Sequence, residues 1–255
     1  MTESPSLDVH YLPQFVAEAD LAGGTVVVID LLRASTTICR ALASGASAVR
    51  AFLSVGDVTR EAGLRDRDGV VLGGERGGEI IDGFDLGNSP AEYTPDEVFG
   101  KQVFFTTTNG TAALNHARLG SRVVVGAAVN LAAVVDAVRG DRHVHLLCAG
   151  TGGHVSRDDR LIAGAIAAGV IAEGPRREVG GPAEATAREW QELLTTARAL
   201  GRTPSEQLAA ELRNTPGGKN LIAIGMGDDL PRCAAIDTLD IVPELDPATG
   251  LITAP

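Results

Sequence analysis

Short runs of β-branched residues, each followed by small polar residues and then a helical pattern, recur along this 255-residue chain. Thr25-Val26-Val27-Val28-Ile29 precedes a helix expected over Ser35 to Ala43. Val103-Phe104-Phe105-Thr106 precedes one over Thr111 to Arg118, behind an Asn109-Gly110 turn. His145-Leu146-Leu147-Cys148 precedes a long helix that opens at Ser156 and that Gly174-Pro175 stops. Continuously apolar strands alternating with helices call for an α/β fold, a mostly parallel sheet flanked by helices. The segments 26–42, 103–117 and 144–166 echo one another, which is compatible with duplication.

Between these units lie a short strand at Val70-Val71-Leu72, an irregular Gly-rich stretch from Gly73 to Pro95, and a strand at Val123-Val124-Val125. Leu131, Val134, Val135 and Val138 have helical spacing. Further helices are expected over Pro182 to Leu200 and Pro204 to Arg213. A last α/β piece ends in Ala234-Ala235-Ile236 and Ile241-Val242.

With 44% hydrophobic residues, 31 glycines and 4% aromatics, the core must be packed from small, branched side chains. A length prior leaves one large domain or two small ones open. The net charge of −11 argues against a nucleic-acid partner or a polybasic membrane binder. It does not argue against an anionic substrate, because a magnesium ion and a few arginines can reverse the sign inside one cleft. Cys39, Cys148 and Cys233 offer neither a disulfide framework nor zinc spacing, which favours a reducing compartment. Met1 to Pro13 is polar and acidic and lacks a leader pattern. The longest apolar stretch, Leu161 to Ala172, is about 12 residues, too short to span a bilayer. A soluble, cytoplasmic protein is the expectation.

In open α/β sheets ligands bind at the carboxyl ends of strands, where helix N-termini also point. Here those ends carry most of the chemistry. Strand 25–29 delivers Asp30, Arg33, Ser35, Thr36 and Thr37. Strand 103–106 delivers Thr107, Thr108, Asn109, Gly110 and Thr111. Strand 145–147 delivers Cys148, Gly150, Thr151, Ser156, Asp158 and Asp159. Hydroxyls and glycines at helix starts leave free N–H donors for a phosphate. Carboxylates beside them suit a hard, oxygen-preferring cation such as magnesium.

Each residue also has a purely structural reading. Asp30 can cap the next helix, Asp159 can close a Ser-x-x-Asp box with Ser156, and Asn109-Gly110 can be only a turn. A cysteine such as Cys148 is more often a small buried hydrophobe than a nucleophile. The stretch around Glu75-Arg76-Gly77-Gly78 is less easily dismissed. A loop of about 20 residues in a compact domain is usually functional or disordered, and Ile80, Ile81, Phe84 and Leu86 argue for order.

Two familiar phosphatase signatures are absent. Asp30 is followed by Leu31-Leu32, not by a second aspartate two positions on, and six residues after Cys148 stands His154, not arginine. Taken together, the segments instead resemble the 2-phosphosulfolactate phosphatase family of coenzyme M biosynthesis. The matching stretches are Val28 to Thr37, Gly74-Glu75-Arg76-Gly77-Gly78, Gly83 to Pro90 with Asn88 and Ser89, and Thr106 to Thr111. They continue with Asn130, Cys148-Ala149-Gly150, Ser156 to Asp159 with Ala163-Gly164, and Asp229 to Pro243.

The resemblance implies magnesium-dependent hydrolysis of 2-phosphosulfolactate to 3-sulfolactate and phosphate. The alternative is another small phosphorylated hydroxy acid. It further implies two similar α/β halves, 1–120 and 121–255, with possible exchange of terminal strands, the site between them, and a homodimer. Where this chain has Asp158-Asp159 the family usually has Glu-Asp, so Asp159 is the safer carry-over. Residue chemistry combined with the match makes Asp30, Glu75 and Asp159 the magnesium-ligand candidates. Arg33 and Arg76 would pair with the substrate's anionic groups. Ser35, Thr36, Thr107, Asn109, Gly110, Thr111 and Asn130 would supply hydroxyl, amide and backbone contacts. Asn88 and Ser89 would shape the wall. Cys148 belongs to the match with its role open.

Overall fold

The computed structural model describes residues 4–254; the first three residues of the polar start and Pro255 lie outside it. The strands are β1 (Ser6–His10), β2 (Thr25–Ile29), β3 (Ala48–Ala51), β4 (Val70–Arg76), β5 (Glu79–Ile80), β6 (Gln102–Thr106), β7 (Arg122–Gly126), β8 (His143–Cys148), β9 (Glu178–Val179), β10 (Glu244–Asp246) and β11 (Leu251–Thr253). The helices are α1 (Ala34–Ala43), α2 (Val55–Ala62), α3 (Pro95–Val98), α4 (Gly110–His116) and α5 (Leu131–Val138). They continue with α6 (Arg157–Glu173), α7 (Gly181–Ala199), α8 (Pro204–Leu212), α9 (Pro216–Ala223) and α10 (Asp229–Cys233).

The strands form one mixed sheet in the order β5-β4-β6-β3-β11-β10-β7-β2-β8-β1-β9. Two parallel blocks make up most of it: β4-β6-β3, and β7-β2-β8-β1-β9. The antiparallel hairpin β10-β11 joins them, pairing with β7 on one side and β3 on the other. The expected α/β class, a mostly parallel sheet with helices packed on it, is what the chain adopts. Strands from the first 30 residues lie in the same block as β7 and β8, and the terminal hairpin lies between the blocks.

Every residue of β2 is buried, as its unbroken apolar run demands of a strand covered on both faces. Helix α1, which follows it, packs against β7 of one block and β3 of the other, and seven of its ten residues are buried. This central helix carries the hydroxyls of Ser35, Thr36 and Thr37 into the interior, where each finds a backbone carbonyl.

Several boundaries differ from the expectation. The polar start contains β1, whose exposure alternates because Leu7 and Val9 face inward between Ser6, Asp8 and His10. The stretch from Gly73 begins in regular structure, since β4 runs on through two glycines to Arg76 and pairs with β5. Adding a Cβ at Gly74 would put it 2.0 Å from the carbonyl oxygen of Thr106, so only glycine lets β4 approach β6 this closely. The pair Ile241-Val242 is not a strand; Glu244–Asp246 and Leu251–Thr253 are.

Candidate active site

The carboxyl ends of β2, β4 and β6 meet one face of α9 around a cleft of about 170 Å³. Five of the residues expected at the site line it: Asp30, Arg33, Glu75, Asn88 and Asn109. Leu32, Gly77, Gly78, Thr108, Thr151, Gly152, one face of α9 (Gly217, Asn220 and Leu221) and Ile224 just beyond it complete the wall.

Asp30 sits at the end of β2 and is 6% exposed. Its backbone N–H donates to Ser35 Oγ at 2.9 Å, and its carbonyl accepts the N–H of Ser35 at 2.9 Å. Its carboxyl is pushed up to about 7, first by burial and then by the charges of Asp158 and Glu75. The first residue of α4 closes over it. A Cβ on Gly110 would come within 2.8 Å of Asp30 Oδ2 and 2.5 Å of the Ala34 methyl.

Glu75 faces the cleft from the end of β4. Its Oε1 accepts the N–H of Thr108 at 2.7 Å, and its Oε2 that of Gly78 at 2.8 Å. Arg33 is 2% exposed. One arm of its guanidinium donates to Asp229 Oδ2 at 2.7 Å and the other to the carbonyl of Gly78 at 2.8 Å. Ser89 donates to the second oxygen of the same aspartate at 2.7 Å. Asn88 Oδ1 is buried without a hydrogen-bond partner. Asn109 Oδ1 accepts the N–H of Gly152 at 3.1 Å and so ties the β6–α4 turn to the β8–α6 loop.

The other expected residues lie around the cleft rather than on its lining. Asp159 is fully enclosed behind the floor, accepting the N–H of Leu31 at 2.8 Å and of Gly150 at 2.9 Å. Burial and the nearby Asp158 and Asp30 hold its carboxyl well above the usual range. Asp158, bonded to Ser156, is pushed up by burial as well. Thr107 and Thr111 bond to each other and close the first turn of α4. Thr36 donates to the carbonyl of Leu31 at 3.1 Å.

Arg76 is exposed and donates to the carbonyl of Glu75 and to Thr106 Oγ1. Asn130 spends its whole amide on the backbone of Ala127, Val125 and Ile241. Cys148 has no exposed surface, and burial with the adjacent Asp159 and Asp158 keeps its thiol protonated.

In the sequence Asp229 stands only at the start of a matching stretch, with no role given to it, and α9 does not figure among the matching stretches. The helix had a visible signal in Thr215-Pro216, an N-cap followed by proline, and Thr215 does cap it by accepting from Gly218 at 3.0 Å.

Among the described residues no group of three or more His, Cys, Asp or Glu side chains is arranged to hold a metal ion. Magnesium does not require one, being held through one or two carboxylates together with waters and substrate phosphate oxygens. The cleft offers the carboxylates of Asp30 and Glu75 and the unpartnered oxygen of Asn88, all hard donors, so the donor set fits such an ion.

An α/β sheet with a cleft at its strand ends, lined by two buried carboxylates and one buried arginine, has the form of an enzyme that takes a small charged molecule. The model of the 2-phosphosulpholactate phosphatase family matches residues 10–247. The chain belongs to that family, the one its motifs resemble. It is 40% identical over 227 residues to a probable 2-phosphosulfolactate phosphatase of Synechococcus sp. (strain CC9605), covering 88% of this chain and 90% of that protein. A protein of the same name from Symbiobacterium thermophilum is 40% identical over 225 residues, covering 88% of this chain and 92% of its own. One from Gloeobacter violaceus is 33% identical over 248 residues, covering 96% of this chain and 98% of its own.

Proposed function

We propose that this phosphatase hydrolyses 2-phosphosulfolactate to 3-sulfolactate and phosphate, using magnesium held by Asp30 and Glu75. The observation that supports it most is the charge of the cleft. Its lining has two carboxylates and a single arginine, itself paired with Asp229, so the protein alone supplies too little positive charge for a phosphorylated acid. A bound divalent ion would supply the missing charge, drawing electron density from the phosphate and clamping its oxygens.

The chain's own groups do the rest. Arg33 presents the N–H groups left over from Asp229 and Gly78 to an anionic oxygen of the substrate. The N–H groups of Thr108, Thr151 and Gly152 are held by Glu75, the His154 carbonyl and Asn109, which keeps the turns around the cleft in place. Glu75 keeps Thr108 and Gly78 in register, so the cleft has its shape before substrate arrives. A water attacks phosphorus, the ester P–O bond breaks, and the proton that the water gives up goes, in net, to the leaving alkoxide. Asp159 belongs to the support of the site, fixing Leu31 and Gly150 beneath it. Among the described residues no helix is long and apolar enough to cross a membrane, and a cytoplasmic homodimer completes the proposal.

The test is phosphate release over a panel of small phosphorylated acids with magnesium present. Release from 2-phosphosulfolactate at the highest kcat/KM is the expected result. A clear preference for an analogue without the sulfonate would move the assignment to another phosphorylated hydroxy acid.

A further inference from the structure

Arg33 and Asp229 are 196 positions apart in sequence and meet as a buried ion pair at 2.7 Å, with side chains 2% and 3% exposed. Asp229 does not line the cleft; Arg33 does. The aspartate is itself held on its other oxygen by Ser89 Oγ at 2.7 Å, and Arg232 approaches that oxygen to 3.6 Å. A buried guanidinium left without a partner is strongly unfavourable. Here the planar fork is pinned at two points, on Asp229 and on the Gly78 carbonyl, which fixes the plane in which its remaining donors meet an anion.

We infer that Asp229 is the positioning residue for Arg33, acting on the bound anion only through that guanidinium. The inference rests on the proposed role of Arg33. It assigns to α10, a short helix outside the cleft, the task of holding the arginine, with Ser89 fixing Asp229 in turn. The sequence stretch Asn88-Ser89 thereby serves the site twice, once on the wall and once behind it.

A double-mutant cycle tests it: Asp229→Asn, Arg33→Ala and the double variant, read by kcat/KM and by calorimetric affinity for inorganic phosphate with magnesium present. Asp229→Asn is expected to lower kcat/KM by about 30- to 100-fold in the wild-type background and by less than about threefold in the Arg33→Ala background. Phosphate affinity should follow the same pattern. Ser89→Ala, a milder change that keeps the ion pair, should give a smaller loss that also disappears without Arg33, and serves if Asp229→Asn does not fold. Equal losses in both backgrounds would overturn the inference and make Asp229 a stability residue. Full activity and phosphate affinity in Arg33→Ala would overturn it together with the arginine's role. Wild-type protein that binds phosphate but releases none from any ester would instead overturn the proposed reaction, while the binding cycle still judges Asp229.

Discussion

Glu75 Oε1 accepts the backbone N–H of Thr108 at 2.7 Å, so the carboxylate at the end of β4 also holds the turn that starts α4. Its other oxygen takes the N–H of Gly78. Glutamine at this position keeps one acceptor but turns an N–H donor toward a backbone N–H, and it removes a charge offered to the cation. Glu75→Gln should therefore lose about 100-fold or more in kcat/KM, roughly 2.7 kcal/mol, with unchanged far-ultraviolet circular dichroism. Wild-type turnover in this variant would remove Glu75 from the site.

Asp30 gives a pH signature. Its carboxyl rises from 3.8 to about 7 in the folded protein, so between those values the fold binds a proton that the unfolded chain does not. Stability must then fall as pH rises through this window and level off above it. His10 works in the opposite sense: its imidazole is lowered from 6.5 to about 4, mostly by burial and the stacked His145, so it adds stability as pH rises to 6.5. Above pH 6.5 only the carboxylates remain. The metal-free protein should lose about 1 kcal/mol between pH 6 and 8, and Asp30→Asn should flatten that slope. Added magnesium should stabilise more at pH 8 than at pH 6, because a ligating carboxylate must be deprotonated. Denaturant melts at each pH, with and without magnesium, check both signs.

Gly110 matters for space. A methyl group there meets Asp30 Oδ2 and the Ala34 methyl, neither of which sits on a flexible arm. Gly110→Ala should push the start of α4 away by about an ångström and cost about tenfold or more in kcat, while gaining a little helix propensity. Steady-state kinetics beside a thermal melt separate the two effects.

Cys148 is the residue most easily mistaken for a nucleophile. It is fully enclosed between strands, away from the cleft lining, and its thiol is held protonated by burial and two nearby aspartates. Cys148→Ser should keep activity within about tenfold of wild type, or 1.4 kcal/mol. A folded but inactive variant, or a trapped phosphocysteine, would contradict this.

What was legible in the sequence follows from where side-chain pattern fixes backbone. The run Thr25 to Ile29 could only be a doubly covered strand, and Asp30 and Arg33 just beyond its end line the cleft. Glu75, Asn88 and Asn109 line the same cleft, and they stood out because polar residues in ordered, Gly-rich turns have few other uses. Strand β1 was missed because two apolar residues in five are too few for a periodicity to stand out. The α9 wall and the pairing of Asp229 with Arg33 were missed for another reason. Their place at the site depends on the chain returning from nearly 200 residues away, which no local pattern records. Asp159 shows the limit of residue type alone, since an aspartate that holds two backbone amides and one that holds a cation look the same in sequence.

The central claim is that Asp30 and Glu75 bind the magnesium on which hydrolysis of 2-phosphosulfolactate depends. The most direct measurement is phosphate release from that ester by metal-stripped protein as magnesium is titrated in, for wild type and for Asp30→Asn. The account predicts no release in excess chelator, full recovery in wild type, and in Asp30→Asn a loss of at least about 1000-fold that added magnesium does not restore. Full activity in chelator, or an Asp30→Asn enzyme that titrates like wild type, would contradict it.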